Sequence, residues 1–480
     1  MKPVTPPQEK ENLQEHLQRV VHLLHKHKLV EEMVHKQEMP RHELVESVLH
    51  RQNLAELQQR LDKLHVADVA YILEALPLEE RLLVWDLVKV ERDGDILLEV
   101  SDAVRESLIA SMDSDELVAA TEQLDTDEIA DLAPDLPRDV IEDVFESLPV
   151  DEREQLRAAM SYDEDAVGAL MDFDMVTVRA DVTLEVVLRY LRRWDELPDH
   201  TDQLFVVDRE EKLLGVLPTN RILVSDPETE VGAVMTPVIV TLAPDEKAQE
   251  AAQAFERYDL VSAPVVDAAG RLVGRVTVNT VVDFIRDQSE SEALNLAGLR
   301  EEEDLFAPVW NSVRNRWTWL AVNLVTAFIA SRVIGLFEGS IEKLVALAAL
   351  MPIIAGIGGN SGNQTITMIV RALALGQINA SNARKLLAKE LGVSALNGLL
   401  WGSIVGVFAF LIYHNVQLGL VMTLAMVLNL LLAAVLGVLI PLTMHKLGRD
   451  PAVGSSVLIT AVTDSGGFFI FLGLATLFLL

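Results

Sequence analysis

A single aspartate in an apolar segment near the C-terminus is the first residue that suggests chemistry. Asp464 stands in TAVTDSGGFF, some ten residues into a run that could cross a bilayer. A carboxylate near the bilayer centre costs roughly 2.5–3.5 kcal/mol, so it must face water, a cation or a partner. A protonated acid capped by the hydroxyl of Thr463 is the alternative. No Lys or Arg of this half lies at a similar depth, and we expect Asp464 to lie on an ion path.

A second apolar segment has polar residues and helix breakers at its centre. MPIIAGIGGNSGNQTITMIVRAL contains Pro352 and clustered glycines, which predict a broken helix. Carbonyls freed at that depth are tolerated where they are buried or line a wet cavity. Such oxygen ligands, with no Cys or His at depth, suit a hard cation. The expected pore-lining residues are Gly358, Gly359, Asn360, Asn363, Gln364, Thr460 and Thr463. Close helix packing is the other interpretation, and for Gly402 and Gly406 it is the preferred one.

These residues require membrane helices to position them, and five stretches are long enough, since about 20 apolar residues span a bilayer. They are Trp317–Phe337, Leu344–Val370, Leu391–Tyr413, Leu418–Ile440 and Ser455–Leu480. Basic residues concentrate in the loops of one side, and Lys343 alone falls on the other. The positive-inside rule then predicts a cytoplasmic N-terminal half and a C-terminus outside.

The distribution of charge divides the chain into two parts of different composition. Residues 305–480 hold five acids and ten Lys or Arg, whereas residues 1–304 hold 68 acids and 30 bases. An acidic soluble half argues against nucleic-acid binding and favours cations. The chain has no cysteine, which excludes disulfides and thiolate metal sites. No nucleophile–base set, phosphate loop or HExxH motif is present, so we do not expect an enzyme.

Helices are predicted over residues 10–160, where Leu and Val recur at spacings of three and four. Three units of roughly 22–24 residues each suggest two short helices joined by a turn. Leu-Pro pairs predict helix starts at Pro77, Pro137 and Pro149. Eight of the eleven histidines lie in residues 1–65. Among them His22 and His25 could share a helix face and bind a transition metal, although a solvated amphipathic helix is the favoured interpretation.

A tandem repeat of about 60 residues follows, with a β-α-β-β-α outline. QLFVVDREEKLLGVLPTNRIL and APVVDAAGRLVGRVTVNTVVDFI share Val-Val-Asp, a polar turn and a strand that leads into a helix. The repeat resembles a pair of CBS domains, regulatory modules that commonly bind adenosine ligands or sense ions. ATP is therefore a candidate ligand of the pair. A polar amphipathic helix is expected to connect the pair to the first membrane segment.

Taken with GGNSGNQ and DPAVGSSVLITAVTDSGGF, these features resemble the MgtE family of magnesium channels. The resemblance implies a multidomain α-helical membrane protein with an α-helical superhelical N-domain, an α/β tandem CBS pair, a connecting helix and five transmembrane helices. We assign the domains as 1–40 for a His-containing helical extension, 41–161 for the N-domain, 162–226 and 227–287 for the CBS domains, 288–316 for the connecting (plug) helix and 317–480 for the pore.

The resemblance further implies a homodimer in the lipid of the bacterial inner membrane that admits Mg²⁺, with Asp464 holding the hydrated ion in an axial pore. Cytoplasmic Mg²⁺ would close the pore by bridging Asp95, Asp127, Asp131, Asp259, Asp283, Glu292 and Asp450. Positions often acidic in the family are here Gln249, Asn279, Thr280, Gln288 and Ser291, so we expect fewer or weaker regulatory sites. The sequence leaves open whether Mn²⁺ or Co²⁺ also passes.

Two other functions remain as alternatives. The first is a proton- or sodium-coupled divalent cation transporter in which Asp464 titrates. Against it, we see no inverted repeat and expect no second buried acid for a relay. The second is a membrane-anchored CBS sensor without transport, which would leave Asp464 without a role.

Overall fold

The N-terminal part of the protein is a stack of short helices. The computed structural model describes residues 13–35, 54–194, 197–299, 304, 306–374, 378, 382–449, 451 and 454–480. Its helices are α1 (Leu13–His35), α2 (54–61), α3 (Val66–Glu74), α4 (Leu78–Trp85), α5 (Asp93–Glu99), α6 (Asp102–Ile109), α7 (Ser114–Thr121), α8 (Thr126–Leu132), α9 (Arg138–Ser147) and α10 (Val150–Ala159). One continuous apolar core runs from Val20 of α1 to Leu156 of α10.

The predicted helix starts are confirmed, because Pro77, Pro137 and Pro149 are the N-caps of α4, α9 and α10. Proline has no N–H to satisfy and holds φ near −60°, which suits the residue that enters a helix. Capping boxes at Asp113 and Asp125 begin α7 and α8 in the same modular way. The three repeated units are therefore α3–α4, α6–α7 and α8–α9, as the sequence predicts.

The next part has the α/β repeat. The first copy is β1 (Thr177–Arg179), α11 (Leu184–Leu191), β2 (Gln203–Val207), β3 (Leu213–Pro218) and α12 (Thr219–Val224). Strand β1 pairs in parallel with β2, and β2 pairs antiparallel with β3. The second copy has α13 (Val231–Val234), α14 (Ala248–Tyr258), β4 (Ser262–Val266), β5 (Leu272–Thr277) and α15 (Val278–Ala297). Its expected first strand is reduced to a single parallel bridge from Leu242 to Val265.

The chain divides into two compact units, Met1–Asp287 with Glu303–Ala307, and Gln288–Glu302 with Pro308–Leu480. The second unit contains α16 (Val309–Gly335), α17 (Glu338–Lys343), α18 (Ala346–Ala374), α19 (Ala383–Tyr413), α20 (Val416–Lys446) and α21 (Ser455–Phe478). Four of these, α16, α19, α20 and α21, are long and apolar enough to cross a membrane. Helix α18 has 29 residues, and its central Asn, Gln and Gly residues distinguish it from these four.

The prediction of a break in α18 is wrong. The helix continues from Ala346 to Ala374 with Pro352 inside it. Two of its glycines are close-packing sites instead, since a Cβ at Gly358 would collide with Asn429 of α20 and one at Gly362 with Ile459 of α21. The packing interpretation of Gly402 and Gly406 is confirmed: both lie against Thr423 of α20.

Candidate functional site

Asp464 lies half-buried on α21, one residue after the fully buried Thr463. The Thr463 hydroxyl donates to Ile459 O at 2.8 Å and lies 3.2 Å from Thr460 O, so its proton belongs to its own helix. Thr460, one turn before Asp464 on the same face, donates likewise to Ser456 O at 2.8 Å. The alternative in which Thr463 caps a protonated Asp464 is therefore not supported, and within the described residues Asp464 has no ion pair.

The predicted pore-lining residues separate into two groups. Asn360 and Gln364 of α18 are exposed on the protomer, and Asn363 and Thr460 are partly exposed. Gly358, Gly359 and Thr463 are instead buried within the protomer, and their pore-lining role stays a prediction. A Cβ on Gly359 would approach the Thr463 hydroxyl at 3.8 Å, so these residues join α18 to α21 directly behind the polar face.

Sequence reasoning missed a buried acid in the membrane unit. Glu390 of α19 is 5 % exposed, and its Oε2 accepts a hydrogen bond from Thr365 of α18 at 3.3 Å. The Lys389 ammonium, which is largely exposed, lies 3.6 Å from the other oxygen. The expectation that Asp464 has no second buried acid is thus wrong. The lysines around Glu390 made it resemble part of a solvated loop.

A cluster of carboxylates forms around α8 in the first compact unit, where α8 packs on the 3₁₀ turn Val167–Leu170. Burial, together with the charge of Asp172, raises the pKa of Asp127 to about 8. The pKa of Asp131 is raised to about 6 as the net result of desolvation, the opposing charge of Arg105 and the like charges of Asp283 and Asp287. We call these five carboxylates and their neighbours Asp95, Asp125, Glu128, Asp174 and Asp199 the α8 acidic cluster.

Like-charge repulsion within the same cluster acts between the N-domain and both CBS domains. Burial raises the pKa of Asp125, with contributions from Asp174, Asp172 and Asp199 of the first CBS domain. Burial likewise raises the pKa of Glu128, and Asp95 and Asp131 reinforce that shift. Four of the seven predicted regulatory acids thus interact in one region: Asp95, Asp127, Asp131 and Asp283.

The other predicted regulatory acids have separate positions. Asp259 is exposed at the C-terminus of α14 in a left-handed conformation. Glu292 lies on the part of α15 that belongs to the second unit. Asp450 is outside the described residues.

Two positions that lack the expected acid make local hydrogen bonds. Asn279 lies 2.6 Å from the His200 ring, and the hydroxyls of Thr280 and Thr277 are 3.0 Å apart.

The additional members of the cluster, Asp125, Glu128, Asp172, Asp174, Asp199 and Asp287, were not predicted. Asp125 and Glu128 belong to one capping box, whereas the other four lie in distant segments that no motif or spacing connects to it. In the described part of the chain, no three His, Cys, Asp or Glu side chains come close enough to chelate a metal directly. The same finding gives no support to a metal site at His22 and His25.

Comparison with known proteins gives a consistent family. A model described as a divalent cation transporter matches residues 351–474, one described as the MgtE intracellular N domain matches 64–165, and the CBS domain model matches 167–225 and 231–287. The magnesium transporter MgtE of Thermus thermophilus is 34% identical over 68% of this chain and 72% of its own. That of Bacillus subtilis is 25% identical over 89% and 94%.

Among solved structures, the cytosolic domain of a Mg²⁺ channel MgtE in complex with ATP is 30% identical, with a TM-score of 0.36 over 48% of this chain and 99% of its own. The three family models match consecutive parts of the chain, and the alignment with the Thermus relative covers most of the chain. The chain therefore belongs to the MgtE family.

Proposed function

We propose that this protein is a Mg²⁺-selective channel or transporter that mediates divalent cation influx across the bacterial inner membrane. The observation that carries the proposal is the half-buried Asp464 at mid-length of α21, which directly follows Thr463, the residue that Gly359 of α18 faces. The relatives named as magnesium transporters support the choice of ion. In this proposal the multi-pass protein has a cytoplasmic N-terminus and an outside C-terminus, as its loop charges indicate.

A homodimer with its pore on the two-fold axis would bring two copies of Asp464 to face one another. Mg²⁺ loses its waters reluctantly and is usually held through them by one or two carboxylates. The hydroxyl protons of Thr460 and Thr463 are used within α21, so the outward-facing Thr460 oxygen is free to accept a hydrogen bond from such a water. A divalent ion moving inward through 100 mV gains about 4.6 kcal/mol, so influx needs no other energy source.

We further propose that the α8 acidic cluster senses cytosolic Mg²⁺. Crowded carboxylates of the N-domain and the CBS pair repel one another, and a hydrated divalent cation would relieve that repulsion and favour one arrangement of the domains. The common location of Asp95, Asp127, Asp131 and Asp283 supports retained regulation by Mg²⁺. Asn279 and Thr280 stand at two of the five positions that are often acidic in the family, which supports weaker regulation than all five acids would give. ATP at the CBS pair stays a prediction.

The test of the transport proposal is Mg²⁺ uptake into proteoliposomes under an inside-negative potential. We expect Asp464→Asn to reduce uptake to the level of protein-free vesicles, because a neutral amide removes the charge that attracts the ion. Glu342→Gln, which neutralises an exposed acid of the same unit, should transport like the parent. Parental uptake by Asp464→Asn would show that the ion does not depend on this carboxylate.

Coupled transport remains a second candidate because Glu390 is a buried acid in the membrane unit. A carboxylate held by Thr365 could carry a proton between the two ends of the membrane unit. Uptake measured with equal pH and equal sodium on both sides decides between the candidates. A channel continues to admit Mg²⁺ under the membrane potential, whereas a coupled transporter stops.

A further inference from the structure

A fully buried asparagine lies among apolar residues in the middle of the membrane unit. Asn429 of α20 is 0 % exposed and has Met426, Leu430 and Ala433 as equally buried neighbours on its helix. Its Nδ2 donates a hydrogen bond to the carbonyl of Ile354 in α18 at 3.0 Å. Its Oδ1 is buried without a hydrogen-bond partner among the described residues. The amide nitrogen is thus hydrogen-bonded to one helix, whereas the amide oxygen stays unpaired at membrane depth.

Two glycines, on two different helices, make room for this side chain. A Cβ added at Gly467 of α21 would lie 2.8 Å from Nδ2 and 3.1 Å from Oδ1 of Asn429, and a Cβ at Gly358 of α18 would collide with Nδ2. Asn429 therefore separates α18 from α21 at one level and contacts both. Substituting either glycine would require the amide to move.

The contact adjoins the candidate ion path. Gly467 follows Asp464 by three residues, which is less than one turn of α21 and about 4.5 Å along its axis. Gly358 is followed by Gly359, which faces Thr463, and by the exposed Asn360. Because Asp464 directly follows Thr463 and Asn360 directly follows Gly359, the separation of α18 and α21 that Asn429 sets also affects the separation of these two polar residues.

Stability alone does not account for an asparagine at this position. A buried acceptor without a partner destabilises the fold, whereas an apolar side chain of the same branching avoids that cost. The geometry points to Asn429 as a positioning residue for Mg²⁺ transport, which fixes α18 and α21 at the separation that Asp464 requires. This inference rests on the proposed function, and it adds a residue on α20 to the two helices that carry the site.

The first experiment measures Mg²⁺ uptake by Asn429→Leu, whose side chain has the same branching, together with its melting temperature in detergent. We expect a folded protein with uptake reduced about ten- to hundredfold, the range typical of residues that orient an ion ligand. Asn397→Leu is the matched control, because Asn397 is exposed on α19, and it should transport normally. Parental uptake by Asn429→Leu overturns the inference.

A second pair of variants tests the inference without adding bulk to Asn429. Gly467→Ala should lower uptake because its Cβ displaces the amide, and Asn429→Ala should lower it by releasing α18. We expect the double variant to transport better than the product of the two single losses, since the alanine at 429 makes room for the new methyl group. Strictly multiplicative losses at unchanged melting temperature would contradict the inference. A parent that does not take up Mg²⁺ would refute the proposed function itself.

Discussion

Replacing Asp127 by asparagine is expected to raise the melting temperature of the full-length protein at pH 8 in the absence of divalent cations. Burial raises the pKa of this carboxyl to about 8, and the charge of Asp172 contributes to the shift. Ionised Asp127 therefore opposes folding, and asparagine keeps its shape without the charge. Each kcal/mol of repulsion removed should raise the melting temperature of a domain of this size by about 2–4 °C.

The sign of the pH dependence follows from proton binding. Between the ordinary pKa of 3.8 and the folded value of about 8, the folded state binds more protons at Asp127 than the unfolded state does. Stability therefore falls as the pH rises through this range. Asp131, with a folded pKa of about 6, contributes in the same direction over the lower part of the range. The melting temperature measured from pH 5 to 8.5 should fall steeply with rising pH for the parent and less steeply for Asp127→Asn.

Magnesium should replace the effect of protons. At pH 8, millimolar Mg²⁺ should raise the melting temperature of the parent and protect its cytosolic part from protease, because it binds the folded cluster preferentially. Asp127→Asn should gain less from the ion. Asp139→Asn, at an exposed position of α9, is the control and should respond to pH and Mg²⁺ like the parent. Equal responses of Asp127→Asn and the parent would separate the cluster from ion sensing.

Local signals in the sequence were sufficient for much of the fold. Proline at positions 77, 137 and 149 determines where a helix can begin whatever surrounds it, and these predictions are confirmed. The alternation of the first CBS repeat likewise predicted β1, α11, β2, β3 and α12. The α18 prediction failed because its glycines were judged by helix propensity alone. Asn429 and Ile459 pack into the space that the glycines leave by having no side chain, and this packing outweighs the low helix propensity of glycine.

The candidate site was predictable only where a residue conflicts with its own surroundings. Asp464 conflicts with an apolar run and was found from the sequence. Asp172 and Asp287 are ordinary acids in an acidic half, and their role depends on where α8 packs. Arg81 is the extreme case: LPLEERLLVWDLV presents it as a solvated helix residue, yet its side chain is fully buried. Contacts between distant segments carry this information, and no local pattern does.

The Arg81 guanidinium should therefore give the largest loss of stability in the first compact unit when it is removed. It makes two hydrogen bonds to the Asp304 carboxylate, at 2.8 and 3.0 Å, and donates to Leu73 O at 2.9 Å and Leu76 O at 3.0 Å. Removing one partner of a buried ion pair costs about 3–5 kcal/mol, because the remaining charge stays buried and uncompensated. Arg81→Met should thus lower the melting temperature strongly, and Arg81→Lys should recover part of the loss without the two-pronged geometry.

The position of Asp304 gives this ion pair a consequence beyond stability. Asp304 precedes the start of α16 at Val309 by five residues, so the pair fastens the chain that enters the first membrane helix onto α4. Burial raises the pKa of Asp304, but the hydrogen bond and charge of Arg81 outweigh it and hold the pKa below 3.8. The contribution of the pair is therefore present above the ordinary pKa of 3.8 and is lost as the pH falls through the lower pKa of the folded state.

Two measurements on Arg81→Met separate this role from that of an ordinary surface pair. Hydrogen exchange in the peptide around Phe306 should accelerate, since its backbone N–H donates to Asp304 at 2.9 Å in the intact arrangement. Arg179→Met is the control: its pair with Asp181 is exposed, with side chains 42% and 62% accessible, and should contribute little to stability. Equal melting temperatures for the two variants would mean that Arg81 does not fasten Asp304. If Arg81→Met has a lower melting temperature but parental hydrogen exchange at Phe306, the role of Arg81 is confined to the N-domain. The segment before α16 would then be held by other contacts.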